Sequence, residues 1–347
     1  MRTLSRPSAL ITVVAMLLAC ATPASPVSAA PALPAGVPIP PDVPAIVALN
    51  NPVNVLPTGG DDSSNWNALM NAGHDLDVQA GSFTITNVTL PTGRNIHCEP
   101  GAILNEPNLE GDRAIKIGAT VASQGNNQLT GGCILQGTLA VDWSNVPPCC
   151  NYSEGIWIGS GLGVHTSNVL IAGWTIKNIG GDGIITYSPC GLGKTGSVCN
   201  GGQPGAEGPD HIFIVNNTVA HMGQPNIHLN GGQYLYVAGN ESDDGSINPE
   251  ADKILQVFGP IWLTNNTVKT LNVNRHNPAY GSNGQASLSC TGDTLLREDD
   301  SRCYAYGNNI VGSAVIWKPA KTNSKCIFTP GNYQGQSIGS ATLSTGC

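Results

Sequence analysis

The sequence predicts an all-β solenoid, a chain wound into stacked coils of short parallel strands, with a short helix capping its N-terminal end. The first observation behind this is a repeat. Five eight-residue segments, Val169–Ile176, Ile212–Val219, Leu235–Ser242, Ile261–Val268 and Tyr304–Val311, align without gaps, their starts 43, 23, 26 and 43 residues apart. The second is composition. In 347 residues, 43 Gly and 25 Pro interrupt the chain too often for long helices, and 11% charged residues are too few for coiled coils or a disordered polyelectrolyte.

At the N-terminus, Arg2 and Arg6 precede an apolar run from Ala9 to Ala19, too short for a comfortable membrane span. It reads as a signal peptide. Leu17-Leu18-Ala19-Cys20 has the form of a lipobox whose cysteine becomes the lipidated first residue; ordinary cleavage after Val27-Ser28-Ala29 is the alternative. Either way the chain is expected to be exported, touching a membrane only through an N-terminal lipid. Residues 21–53, carrying eight prolines from Pro23 to Pro44, read as an Ala/Pro-rich tether without a core of its own. The folded domain is expected over 54–347. Residues Asn65–Ala72 suit the capping helix, and Asp77–Ile85 and Asn95–Leu104 the opening coils.

Each repeat then begins with period-2 alternation, a strand signal. Val169/Ile171, Ile212/Ile214, Leu235/Val237 and Ile261/Leu263 form its apolar face, and Asn217, Asn240, Asn266 and Asn309 fall in one column at the following turn. Asn tolerates the left-handed conformation and can bond a stacked neighbour, so such a column suits a coil corner. The two long intervals hold two expected disulfide loops, Cys190–Cys199 and Cys290–Cys303, paired by proximity alone. Of the 11 cysteines, setting Cys20 aside leaves an even number with no Cys-x-x-Cys, as in an oxidising compartment rather than a metal site.

The opening coils, with Pro100-Gly101-Ala102-Ile103-Leu104, resemble those of the pectin-lyase-like superfamily. The resemblance spans roughly residues 54–330 and implies a single-chain right-handed parallel β-helix. That fold hosts lyases, hydrolases, epimerases, phage spikes and adhesins, so activity has to be argued from the site. A net charge of -8 excludes a general nucleic-acid binder, and serine-triad, P-loop and dinucleotide signatures are absent. A monomer is expected.

Registering the third strand of each unit from its Asn turn gathers Asp182, Asn226, His228, Glu250, Asp252, Lys253, Arg275 and His276 on one strip. Asp243 and Asp244 lie in the turn leading into it. Coils in a parallel sheet are ~4.8 Å apart, so these groups can converge on one exterior groove. Turn conformation alone also accounts for Asp182-Gly183 and Asp244-Gly245. The middle residues Leu170, Phe213, Tyr236 and Trp262 form a second column, either an outer platform for sugar rings or a secondary core beneath loops or the tether.

Two mechanisms fit a polysaccharide substrate. In β-elimination from a uronic-acid polymer, calcium on Asp243, Asp244, Glu250 and Asp252 would acidify the proton at C5. Glu250-Ala-Asp-Lys-Ile-Leu-Gln256 resembles the Asp-Lys-x-x-Gln segment of small, cysteine-rich pectate lyases, which implies Lys253 as base or carboxylate ligand and Arg275 as partner base. The chain departs from that family in spacing Lys269 and Arg275 six apart instead of three. Asp182 is the third catalytic candidate, and Asn226, His228, Tyr236, Trp262 and His276 are expected to bind substrate. In hydrolysis, paired carboxylates flank the glycosidic bond; the polygalacturonase motif set is absent, Asp243-Asp244 being a fragment of one. A non-catalytic carbohydrate-binding solenoid would need neither arrangement. A calcium-assisted lyase is the leading expectation, a hydrolase the alternative.

Overall fold

The computed structural model describes residues 33, 37–107, 109, 111–138, 153–159, 164–187, 208–250, 260–273, 302–316 and 325–328. Alternating apolar residues do form strands, and every pairing between them is parallel. The first face is a sheet of ten strands in spatial order: Pro52–Val55, Asp75–Val78, Ile96–Cys98, Gly125–Gly131, Ser167–Ala172, Asp210–Val215, Gln233–Ala238, Ile261–Thr264, Arg302–Tyr306 and Lys325–Phe328. The chain then turns onto a second face (Gly81–Thr84, Ala102–Glu106, Ile134–Gly137, Thr175–Lys177, Thr218–Ala220) and a third (Val88–Thr89, Arg113–Ile117, Glu154–Gly159, Ile184–Tyr187, Ile227–Asn230). From Glu241–Glu250 onward, single long strands run through both, joining second and third faces into one hydrogen-bonded sheet. This is a right-handed parallel β-helix.

Register explains the core. Val169, Ile212, Leu235 and Ile261 stack in line on the first face, as do Ile115, Ile156, Ile184 and Ile227 on the third, all fully buried. The helix Ser63–Asn71 closes the N-terminal end over this core, with Trp66 meeting Phe83 edge to face at 5.5 Å. A disulfide joins Cys98 to Cys133, Cα atoms 5.1 Å apart.

The corner between first and second faces is a hydrogen-bonded ladder. Asn217 Nδ2 donates to Asn240 Oδ1 at 3.0 Å, Asn240 Nδ2 to Asn266 Oδ1 at 2.9 Å, and Asn266 Nδ2 to Asn308 Oδ1 at 2.9 Å. Each Asn also bonds backbone on both sides, so the column satisfies buried groups that no water reaches. The preceding position must be left-handed, and Asn216, Gly239, Asn265 and Gly307 fill it with φ of 54, 67, 55 and 67°. The last member corrects the sequence alignment: Ile261 pairs with Cys303, not Tyr304, so Asn308 and not Asn309 completes the ladder.

That shift also bears on the disulfides. Cys303 and Cys326 are register partners on adjoining strands of the first face. Cys190, Cys199 and Cys290 lie outside the described residues.

The middle column of the first face is covered. Trp262 donates its indole N–H to the Pro38 carbonyl at 3.1 Å and packs with Val37 and Tyr306. Farther along the solenoid, the Gln128 amide clamps the same segment, donating to Ala45 O at 2.9 Å and accepting from Val47 N–H at 2.9 Å. From the Gln128 row to the Trp262 row is four coil spacings, roughly 19 Å. The chain from Pro38 to Ala45, extended at ~3.1 Å per residue, reaches roughly 22 Å. Part of the proline-rich tether is therefore a strap that spans the rows of Leu170, Phe213 and Tyr236 between its two anchors. Proline suits this role, since a strap outside the sheet has no ladder hydrogen bonds to donate. No helix of the described residues is long and apolar enough to cross a membrane.

Candidate functional site

The third face carries a cluster of charged and titratable side chains. Its strands share a local pattern at their start: Arg113-Ala-Ile115, Glu154-Gly-Ile156, Asp182-Gly-Ile184 and Pro225-Asn-Ile227. The isoleucines point into the core and fix the register. Glycine follows each acid because there is no room for a side chain: a Cβ on Gly155 would come within 2.4 Å of the Gly183 carbonyl, and one on Gly183 within 2.6 Å of the Asn226 carbonyl. The close approach lets Gly155 N–H donate to Asp182 O at 2.9 Å, so Glu154 and Asp182 sit on neighbouring coils.

Around these two acids the cluster is completed from the coils on either side. Arg113, the register partner of Glu154, donates its Nε–H to Glu154 Oε2 and stacks its guanidinium 5.1 Å above the Trp157 ring. His228 Nδ1 lies 3.2 Å from Asp182 Oδ2. The second oxygen of Asp182, Oδ1, is buried and makes no hydrogen bond among the described residues. Glu154, Asp182 and His228 are buried, while Arg113 is 32% exposed and reaches solvent.

Burial decides the protonation of Glu154. Removal from water pushes its carboxyl up to about 7; the Arg113 charge and hydrogen bond oppose this, and the neighbouring Asp182 charge reinforces it. Burial wins even though an ion pair is in place. A carboxylic acid half-protonated near neutrality is suited to donate a proton to a departing oxygen. Beside it, Trp157 and Tyr187 offer two half-exposed aromatic rings, 6.1 Å apart and tilted by 36°.

The residues expected from sequence do not form one site among the described residues. Asp182 and His228 are brought into contact. His228 occupies the outward row, in register with Trp157, Ile185 and Asn248, yet it is covered instead of lining an open groove. Asn226 and Asp244 form a second local group: Asn226 Nδ2 donates to Asp244 Oδ1 at 3.1 Å, and Asp244 Oδ2 accepts from the His221 amide at 2.8 Å. Asp244 lies within the strand Glu241–Glu250, not in a turn. Trp262 is buried under the strap and Tyr236 half-buried beside it, so this column forms a secondary core where an open sugar platform was the other reading. Asp252, Lys253, Arg275 and His276 lie outside the described residues, and of Asp243 and Glu250 only the backbone is described. No group of three or more His, Cys, Asp or Glu suited to a metal ion occurs among the described residues.

Glu154, Arg113 and Trp157 were missed from sequence. A signal existed: Glu-Gly-Ile-Trp-Ile and Asp-Gly-Ile-Ile-Thr share an acid, a glycine and the inward isoleucine, 28 residues apart.

No protein-family model and no curated protein matches the chain. Solved structures do. An iota-carrageenase complexed to iota-carrageenan fragments is 14% identical with a TM-score of 0.50, over 76% of this chain and 54% of that one. An iota-carrageenase of family GH82 from A. fortis gives 14% and 0.46 over 76% and 54%. A 1,3-alpha-1,4-beta-D-galactose-4-sulfate-3,6-anhydro-D-galactose-2-sulfate 4 galactohydrolase gives 13% and 0.48 over 76% and 57%. This chain spans about half the length of the carrageenases it matches. The likeness shows the parallel β-helix; placement in the pectin-lyase-like superfamily rests on the sequence resemblance alone.

Proposed function

We propose that the protein is a glycoside hydrolase acting on a polysaccharide, with Glu154 as general acid and Asp182 as its partner carboxylate. The observation that carries this reading is the buried Glu154 carboxyl, raised to about 7, one coil from Asp182. Two neighbouring carboxyls in different surroundings divide the labour of glycosidic cleavage. Glu154 gives its proton to the glycosidic oxygen as the bond to the anomeric carbon breaks. Asp182, held through Oδ2 by His228, supplies the second carboxylate. Trp157 and Tyr187 supply apolar faces for the C–H surface of a sugar ring. The fold's likeness to a structure described as complexed to iota-carrageenan fragments supports a polysaccharide substrate.

The test is product chemistry. Pectate, alginate, glucuronan, sulfated galactan and neutral glycans are incubated with the protein and followed by reducing ends and by ultraviolet absorbance. Reducing ends without absorbance are the expected result. Unsaturated, absorbing products would overturn the hydrolase reading in favour of β-elimination, with Lys253 and Arg275 as bases and calcium on Asp243, Asp244, Glu250 and Asp252. No product from any polymer would favour a binding protein.

A further inference from the structure

Lys116 stands on the third face in register with Trp157, one coil toward the N-terminus, in the outward row between Thr89 and Trp157. Its ammonium is half-buried and makes no hydrogen bond or ion pair among the described residues. Arg113, three residues earlier on the same strand, presents like charge; Asp112 presents opposite charge, but its carboxylate already accepts from Asn87 Nδ2 at 2.8 Å. Burial, reinforced by Arg113, lowers the proton affinity of Lys116, Asp112 opposing. The Arg113 guanidinium is itself tied to Glu154.

Such an arrangement is costly in the free protein. A cation shorn of part of its hydration and set beside a like charge gains most from an incoming anion. In a chain with only 15 Lys+Arg against 23 Asp+Glu, two cations at the edge of one aromatic site are a local reversal of the overall charge. We propose that Lys116 binds an anionic substituent, a carboxylate or a sulfate, on the sugar unit lying one coil from Trp157, and so selects an anionic polysaccharide. This inference rests on the third-face site being where glycan binds, and it extends that reading from polysaccharide to anionic polysaccharide.

The test measures binding rather than turnover. Full-length Glu154→Gln protein, in which cleavage is blocked, is titrated calorimetrically with sulfated galactan oligosaccharides and their desulfated form. Oligogalacturonate and its carboxyl-reduced form make a second pair. One member of each pair differs from the other only in the anion. Tighter binding of the sulfated or of the carboxylate-bearing member is expected, and which pair responds identifies the substituent. Adding Lys116→Gln should weaken that anionic member about 10- to 100-fold, as loss of one charge-assisted hydrogen bond would, while leaving its neutral counterpart unchanged. Lys116→Arg should restore most of the loss. Equal binding of charged and neutral members, or anionic binding indifferent to Lys116→Gln, would overturn the proposal. If the Lys116 effect is present while wild-type protein hydrolyses no polymer, the subsite stands and the hydrolase reading falls.

Discussion

His228 Nδ1 lies 3.2 Å from Asp182 Oδ2, although 46 residues separate them in sequence. The contact follows from coil geometry: Ile184 pairs with Ile227, so the start of one third-face strand lies beside the strand of the next coil. His228 reaches diagonally across that boundary. Its flanking residues Ile227 and Leu229 are anchored in the core, which holds the imidazole in place. In the proposed mechanism this fixes the orientation of the Asp182 carboxylate.

The raised Glu154 carboxyl makes stability depend on pH. Between 4.5, its ordinary value, and about 7, the unfolded chain has released the proton that the folded protein still holds. The unfolded state therefore binds fewer protons in that window, and stability falls as pH rises through it, by about 3 kcal/mol at most. Urea unfolding at pH 5 and pH 8 should show this decline. Glu154→Gln should flatten it; an unchanged slope in that variant would mean another group titrates.

The same titration should govern activity. A general acid must be protonated, so kcat/KM should fall above pH 7 with an apparent pKa of about 7. Arg113→Met removes the charge and hydrogen bond that hold the Glu154 pKa down, and should move that limb to higher pH. A limb that stays in place, or moves down, would contradict the assignment.

How much of this was legible in sequence depended on repetition. The first face was readable because Val169/Ile171, Ile212/Ile214, Leu235/Val237 and Ile261/Leu263 alternate, and because the following Asn recurs at a fixed offset. The final coil slipped by one residue because Tyr304-Ala-Tyr alternates as well as Cys303-Tyr-Ala does; the Asn308 ladder bond decides the register. A one-residue shift changes which residue shares the Ile261 row, so Cys303 takes the place of Tyr304 there. Glu154 was missed for a different reason. Its coil lies outside the five aligned repeats, and only the pairing with Arg113 and Ile184's strand reveals that it joins Asp182. The strap was legible in composition but not in contact, since nothing in a proline-rich stretch names the tryptophan it covers.

Register also predicts a disulfide. Cys303 and Cys326 are opposite each other on adjoining parallel strands, ~4.8 Å apart, within the Cα range that a disulfide spans. Peptide mapping of unreduced protein should return Cys303 linked to Cys326. Recovery of Cys290 linked to Cys303 would restore the pairing by proximity and contradict the register argument.

The asparagine ladder should be a stability element. Asn240→Ala leaves the buried Asn217 amide and the Ile214 carbonyl without their partner, at a cost of about 1–3 kcal/mol. Chemical denaturation checks this, and a change below roughly 0.5 kcal/mol, the size typical of surface substitutions, would mean the column is dispensable.

The most direct test of the central claim is reducing-end release from a polymer the wild-type protein cleaves, compared with Glu154→Gln and Asp182→Asn. Both variants keep the shape of the side chain and should retain the wild-type circular dichroism spectrum. The account predicts that each lowers kcat by about 10²–10⁴-fold, the range for loss of an acid or base in the transition state. Wild-type turnover in either folded variant would contradict it.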